Sequence, residues 1–127
     1  MAESAPQSRP AVLVIDDEPA LLSAMTLTLE GDYDIETAAS AEDAMLMAGT
    51  RAFEVVICDQ LLPGAQGLDF LMRAAVQFPK MRRILITGYM NPELLSRGTT
   101  LAGLSCCLLK PVSPADLKKA IAGALAK

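Results

Sequence analysis

A doubly wound α/β fold on a five-stranded parallel sheet is what this 127-residue sequence predicts. Three observations lead there. Short apolar segments recur five times along the chain; each precedes a segment whose apolar residues follow helical spacing; and most are too continuously apolar to have a water-facing side. Parallel neighbours need helical crossovers, and strands buried on both faces need helices on both faces. The length suits one domain with a sizeable core.

The elements follow in order. Residues 11–15 form an apolar run rich in β-branched side chains, the first strand. From Glu18 to about Glu30, Leu21, Leu22, Met25 and Leu29 keep helical spacing, with Pro19 tolerated in the first turn and Gly31 as the stop. Residues 33–37 alternate polar and apolar, which suits a second strand near a sheet edge. Ser40 opens the next helix, Asp43 stands three residues on in a capping arrangement, and Gly49 punctuates the end. Residues 54–58 are the third strand, ending on Asp59, and Pro63-Gly64 marks 61–67 as a loop. Leu68, Phe70, Leu71, Ala74, Ala75 and Phe78 space a helix that Pro79 closes. Residues 83–86 are the fourth strand, stopped by Thr87-Gly88; Asn91 as N-cap and Pro92 then start a short helix to Arg97. Residues 104–109 make the fifth strand, ended by Lys110-Pro111, and Ser113 to Asp116 cap a last helix through Leu117, Ile121 and Leu125.

Composition excludes some functions. With 15 acidic and 11 basic residues the net charge is −4, leaving no broad basic surface for direct nucleic-acid binding. Three cysteines, an odd number without zinc-site spacing, and no histidine point to reduced thiols and a cytoplasmic protein. Residues 1–10 read as a flexible tail ahead of a domain over 11–127, and as neither signal peptide nor membrane span. Cys58, Cys106 and Cys107 read as small core hydrophobes, the last two pointing to opposite faces of their strand. The methionines read mostly as helix gap-fillers in the core, with an adaptable partner surface near Met90 as the lesser alternative, and Lys118 and Lys119 as a solvated face.

In a parallel sheet the strand C-termini share one edge, where such folds bind ligands. Asp16 and Asp17 end the first strand, Asp59 the third, Thr87 the fourth and Lys110 the fifth. Taken singly, these read as a solvated turn, a β-former and a strand terminator; together at one edge they read as chemistry. Clustered carboxylates repel until one takes a proton or a cation joins them. All-oxygen donors suit Mg2+ and give zinc nothing soft. Asp59 is placed as a carboxylate nucleophile for phosphoryl transfer, with the cation, Lys110 and the Thr87 hydroxyl sharing the phosphoryl charge and Gly88 leaving room. Lacking histidine, the chain needs a partner to supply any phosphohistidine.

Val14-Ile15-Asp16-Asp17-Glu18-Pro19, Val56-Ile57-Cys58-Asp59 with Pro63 and Gly67, Ile86-Thr87-Gly88 and Lys110-Pro111 together resemble the response-regulator receiver family of two-component signalling, from about Ala11 onward. The resemblance implies a flavodoxin-like (βα)5 sheet of order 2-1-3-4-5. It implies Asp59 as phosphoacceptor, Asp17 as direct metal ligand, Asp16 as an acid often acting through water, and the Leu61 carbonyl as a further ligand. Thr87 and Lys110 would contact the phosphoryl group, and a small threonine movement would reach the face made by helix 4, strand 5 and helix 5. Implied partners are a sensor histidine kinase or phosphotransfer protein and a downstream effector protein or domain, with a homodimer left open and no membrane. The domain would be no enzyme beyond phosphorylating and dephosphorylating itself. Leu61 and Tyr89, flanking the site, would influence hydrolysis of the acyl phosphate. One departure stands out: three residues before Lys110, where the family carries a switching aromatic, this chain has Cys107.

Two competitors share the fold. A phosphorylation-independent interaction module has the missing aromatic at Cys107 as its only support. A haloacid-dehalogenase-type phosphatase wants a second aspartate two positions past its nucleophile, where Leu61 follows Asp59 and Glu18 follows Asp16. A flavodoxin-like cofactor binder is the other enzyme-class alternative, and a P-loop is absent. Whether the chain is a stand-alone regulator or the receiver of a longer protein the sequence leaves open.

Overall fold

In the computed structural model, which describes residues 9–89 and 92–126, the chain runs β1 (Ala11–Ile15), α1 (Pro19–Leu29), β2 (Asp34–Ala38), α2 (Ala41–Thr50), β3 (Val55–Asp59), α3 (Gly67–Gln77), β4 (Arg82–Thr87), α4 (Pro92–Arg97), β5 (Cys106–Leu109) and α5 (Pro114–Leu125). The strands form one parallel sheet in the order β2-β1-β3-β4-β5, the expected 2-1-3-4-5 arrangement. The N-terminal segment up to Ser8, Met90, the Asn91 cap and Lys127 lie outside the described residues.

Side-chain alternation along the central strands splits the core in two. Leu13, Ile15, Val56, Cys58 and Leu85 pack with Ala44 of α2 and with Leu68, Phe70, Leu71 and Ala74 of α3. On the other face Val12, Val14, Val55, Ile57, Ile84 and Ile86 pack with Leu29 of α1 and with Leu117, Ile121 and Ala124 of α5. β1 and β3 are buried along their whole length, which is why their sequences show no polar alternation.

Local signals set the helix starts. The Ser40 hydroxyl accepts from the Asp43 N–H at 3.1 Å and the Ser113 hydroxyl from the Asp116 N–H at 3.1 Å; each such cap contributes about 1 kcal/mol. Pro19 and Pro114 stand in the first turns of α1 and α5, where a missing N–H costs nothing.

The structure departs from the sequence reading in several places: β3 runs one residue later, Val55–Asp59, β4 gains a residue at each end, and α2 continues through Gly49 to Thr50. β2 runs one residue later than the alternation suggested. The loop at 61–67 contains an antiparallel hairpin, Leu61–Leu62 against Ala65–Gln66, turned at Gly64, whose φ of 70° lies in the region that favours glycine. Beyond α4 the chain continues as a π-helix, Gly98–Ala102, ended by Gly103 in the left-handed region at φ 57°. There a Cβ on Gly98 would come within 2.6 Å of Leu104 Cδ1, and the Arg83 guanidinium of β4 donates to Ala102 O at 2.6 Å and Met81 O at 2.5 Å. Finally, β5 begins at Cys106 and is half-buried, because it lies at the sheet edge; Cys106 and Cys107 are therefore less buried than their apolar neighbours suggested. Among the described residues no helix is long and apolar enough to cross a membrane.

Candidate functional site

Strand register builds the site. Ile15 of β1 pairs with Cys58 of β3, so the residues that follow, Asp16 and Asp59, stand side by side. Asp59 pairs with Ile86 and Thr87 with Leu109, which puts Thr87 and Lys110 next along the same edge. The Lys110 N–H donates to Thr87 O at 2.8 Å, tying the end of β5 to the end of β4.

The three aspartates converge as the sequence predicted: one carboxylate oxygen each from Asp16, Asp17 and Asp59 lies within 4.8 Å of the others. Asp16 and Asp59 are buried and Asp17 is exposed, so the cluster is open on one side. The Lys110 ammonium donates to Asp59 Oδ2 at 3.2 Å, with Lys110 about one-third exposed. Asp16 Oδ1 accepts from the Glu18 N–H at 2.9 Å, and the Leu61 N–H approaches Asp59 Oδ1 at 3.5 Å. Thr87 is buried and its hydroxyl donates to Tyr89 O at 2.9 Å, facing the loop that leads to α4. Leu61 and Tyr89 are both exposed beside this edge. A Cβ at Gly88 would meet nothing within 4 Å, so space is open there. An apolar groove of about 610 Å³ between α1 and α5, lined by Leu21, Met25, Val112 and Leu117, ends at Asp16 and Lys110.

Burial pushes the Asp16 carboxyl above its ordinary value; the Glu18 N–H and Lys110 oppose this, while Asp59 and Asp17 add to it. The folded chain therefore holds this proton more tightly than the unfolded chain does. The stability so gained is fully present below the ordinary value of 3.8 and is lost as pH rises through the raised native value. Asp16→Asn keeps an oxygen for the Glu18 N–H and removes the buried charge. In chelator-containing buffer it is expected to raise the melting temperature near neutral pH and to give no gain below pH 3.8. Thermal unfolding at both pH values checks this.

Crowded oxygen donors, one of them made reluctant to ionise by burial, form a donor set that suits a hard divalent cation of the Mg2+ type. The Cys58 thiol adds no softer ligand: it is fully buried, points at Asp59 O at 3.3 Å, and burial followed by the Asp59 and Asp16 charges pushes its pKa far up.

Sequence reasoning missed one residue. Among the described residues only four polar or charged side chains are buried: Asp16, Asp59, Thr87 and Gln60. Nothing in the sequence marks Gln60, a polar residue between Asp59 and an apparent loop.

A doubly wound sheet with three acids and a lysine at its C-terminal edge defines an α/β domain of the receiver class. The chain belongs to the response regulator receiver domain family, whose model matches residues 12–122. It is 35% identical over 106 residues to the hydrogenase transcriptional regulatory protein HoxA of Cupriavidus necator, covering 84% of this chain and 22% of that protein. It is 32% identical over 121 residues to the alginate biosynthesis transcriptional regulatory protein AlgB of Pseudomonas aeruginosa, covering 94% of this chain and 27% of that one. The chain thus spans about a quarter of the length of these relatives. Among solved structures, a CheY-like response regulator receiver domain protein from Methanospirillum hungatei superimposes with a TM-score of 0.88 at 31% identity, over 94% of this chain and 95% of that chain. The chemotaxis response regulator CheY4 of Vibrio cholerae gives 0.84 at 27% identity, over 93% of this chain and all (100%) of that chain.

Proposed function

We propose that residues 11–127 are a phosphoacceptor receiver of two-component signal transduction, in which Asp59 accepts a phosphoryl group from a sensor histidine kinase or phosphotransfer protein. One observation carries the reading: a buried carboxylate, Asp59, sits within ion-sharing distance of Asp16 and Asp17 on one side and in contact with the Lys110 ammonium on the other.

Asp16, Asp17, Asp59 and the Leu61 carbonyl would hold Mg2+, which would supply positive charge against the phosphoryl oxygens. The chain's own residues do the rest. An Asp59 oxygen forms the O–P bond as the donor's N–P bond breaks and the imidazole nitrogen keeps the electron pair. Lys110, already 3.2 Å from Asp59 Oδ2, is within reach of a phosphoryl oxygen on that carboxylate. The buried end of β3 limits water around the acyl phosphate, and the domain's chemistry is confined to gaining and losing its own phosphoryl group.

Thr87 supports the signalling step. Its hydroxyl, bonded to Tyr89 O, can exchange that acceptor for a phosphoryl oxygen, and the loop before α4 then loses a tether. Two conformations shift in population, and the α4/β5/α5 face changes its affinity for an effector protein or domain. Cys107 stands on that face where the family has an aromatic, so the output here relies on the loop and α4 rather than on a ring rotation. The place of action is the cytoplasm.

Incubation with Mg2+ and a small phosphodonor such as acetyl phosphate, followed by intact-mass measurement, is expected to add one phosphoryl group, and chelator is expected to prevent it. A folded chain that gains no mass at saturating donor is instead a phosphorylation-independent module.

A further inference from the structure

Gln60 has the burial of a core residue and the bonding of a hub. It is 4% exposed. Its side-chain oxygen accepts from the Leu68 N–H at 2.9 Å, satisfying a donor in the first turn of α3 that the helix cannot. Its side-chain amide donates to Gln66 Oε1 at 3.3 Å, across the base of the 61–66 hairpin. Its backbone N–H donates to Ile86 O at 2.8 Å and its carbonyl accepts from the Gly67 N–H at 2.8 Å. One residue thus fastens the end of β3 to β4, to the returning leg of the hairpin and to the start of α3.

Its sequence neighbours are Asp59, with a carboxylate in the acid cluster, and Leu61, whose N–H approaches that carboxylate at 3.5 Å. The hairpin has only two-residue strands to hold its shape, and the Leu61 side chain is exposed, so its packing does little to hold the main chain at 61. The Gln60 side chain holds it with directional bonds.

We infer that Gln60 is a positioning residue for the cation site: through Leu68 and Gln66 it holds the backbone on either side of it, and with it the Asp59 carboxylate and the Leu61 main chain, in the arrangement that binds a divalent ion. The inference rests on the proposed function and adds a residue that touches neither the ion nor the phosphoryl group. Groups that orient metal ligands change affinity about 10- to 100-fold when removed.

The test is Gln60→Met, which keeps the volume and removes both bonds, with Mg2+ affinity measured by isothermal titration calorimetry well below the melting temperature. Leu29→Val, at the far end of α1 in the opposite core layer, serves as a control that costs stability without touching the hairpin. The expected result is at least a tenfold weaker Mg2+ affinity for Gln60→Met and an unchanged affinity for Leu29→Val. A folded Gln60→Met chain that binds Mg2+ as the parent does overturns the inference and leaves the proposed function standing. A parent chain that binds no Mg2+ overturns both. If Gln60→Met does not fold, Gln60→Asn, whose shorter side chain cannot reach both partners, takes its place: weakened Mg2+ binding supports the inference and unchanged binding overturns it.

Discussion

Asp59→Asn is expected to abolish phosphoryl uptake altogether while the chain remains folded. The substitution is nearly isosteric and keeps an oxygen for the Leu61 N–H. A neutral amide oxygen is a poor nucleophile, however, and it offers the Lys110 ammonium no charge. Stability should change little, because two effects oppose each other. The ion pair with Lys110 is lost, and one of three mutually repelling carboxylates is removed. The other groups near the phosphoryl position are poor substitutes: Cys58 is buried with its pKa far above the ordinary thiol range, and Asp17 is exposed to solvent. Intact-mass measurement after donor treatment, with circular dichroism to verify folding, decides it. A variant that still gains one phosphoryl group would place the acceptor elsewhere.

Gly67→Ala is expected to cost about 3 kcal/mol of unfolding free energy, an unusually large effect for adding one methyl group. A Cβ at Gly67 would stand 2.1 Å from Asp59 O, 2.9 Å from Asp59 C and 3.0 Å from Cys58 Sγ. The first two atoms are backbone of a central strand, paired with β4 through Asp59 and Ile86, and cannot step aside as a flexible side chain would. Relief therefore requires moving the hairpin or the end of β3, and either displaces the Asp59 carboxylate. Urea unfolding measures the loss; a change under about 1 kcal/mol would mean that the hairpin yields easily. Gly64, whose Cβ would meet nothing within 4 Å, needs its glycine for a different reason, the positive φ of the turn.

Much of the fold was legible because the central strands obey one simple constraint. A strand covered on both faces has almost no polar position to spare, so residues 11–15 and the apolar run 55–58 announce themselves. Ser40 and Ser113 marked helix starts because a hydroxyl at that position has a backbone N–H to satisfy. The meeting of Asp16, Asp17 and Asp59 with Lys110 followed from topology, since parallel strands bring their C-termini to one edge. The features that escaped depend on contacts between distant residues. The π-helix at Gly98–Ala102 has no local pattern to mark it, and the Arg83 bond to Ala102 O that ties it to β4 spans 19 residues. Gln60 drew no reading because its partners, Gln66 in the hairpin and Leu68 in α3, meet it only once the chain has folded back. Cys106 and Cys107 pack against the two core layers on opposite faces, as their strand positions predicted, but stay half-buried because β5 lies at the margin of the sheet.

The margins of the sheet have a consequence for how copies of the chain meet. An outer strand presents unsatisfied main-chain donors and acceptors on which a strand from another molecule could grow. On one side β2 carries Asp34 and Glu36, both bridged to the Arg51 guanidinium, so an approaching ribbon meets fixed charge. On the other, β5 is four residues long and runs into Pro111, which has no N–H to offer. Neither border is a long, flat, apolar template, and the domain is guarded at both against runaway strand-on-strand growth.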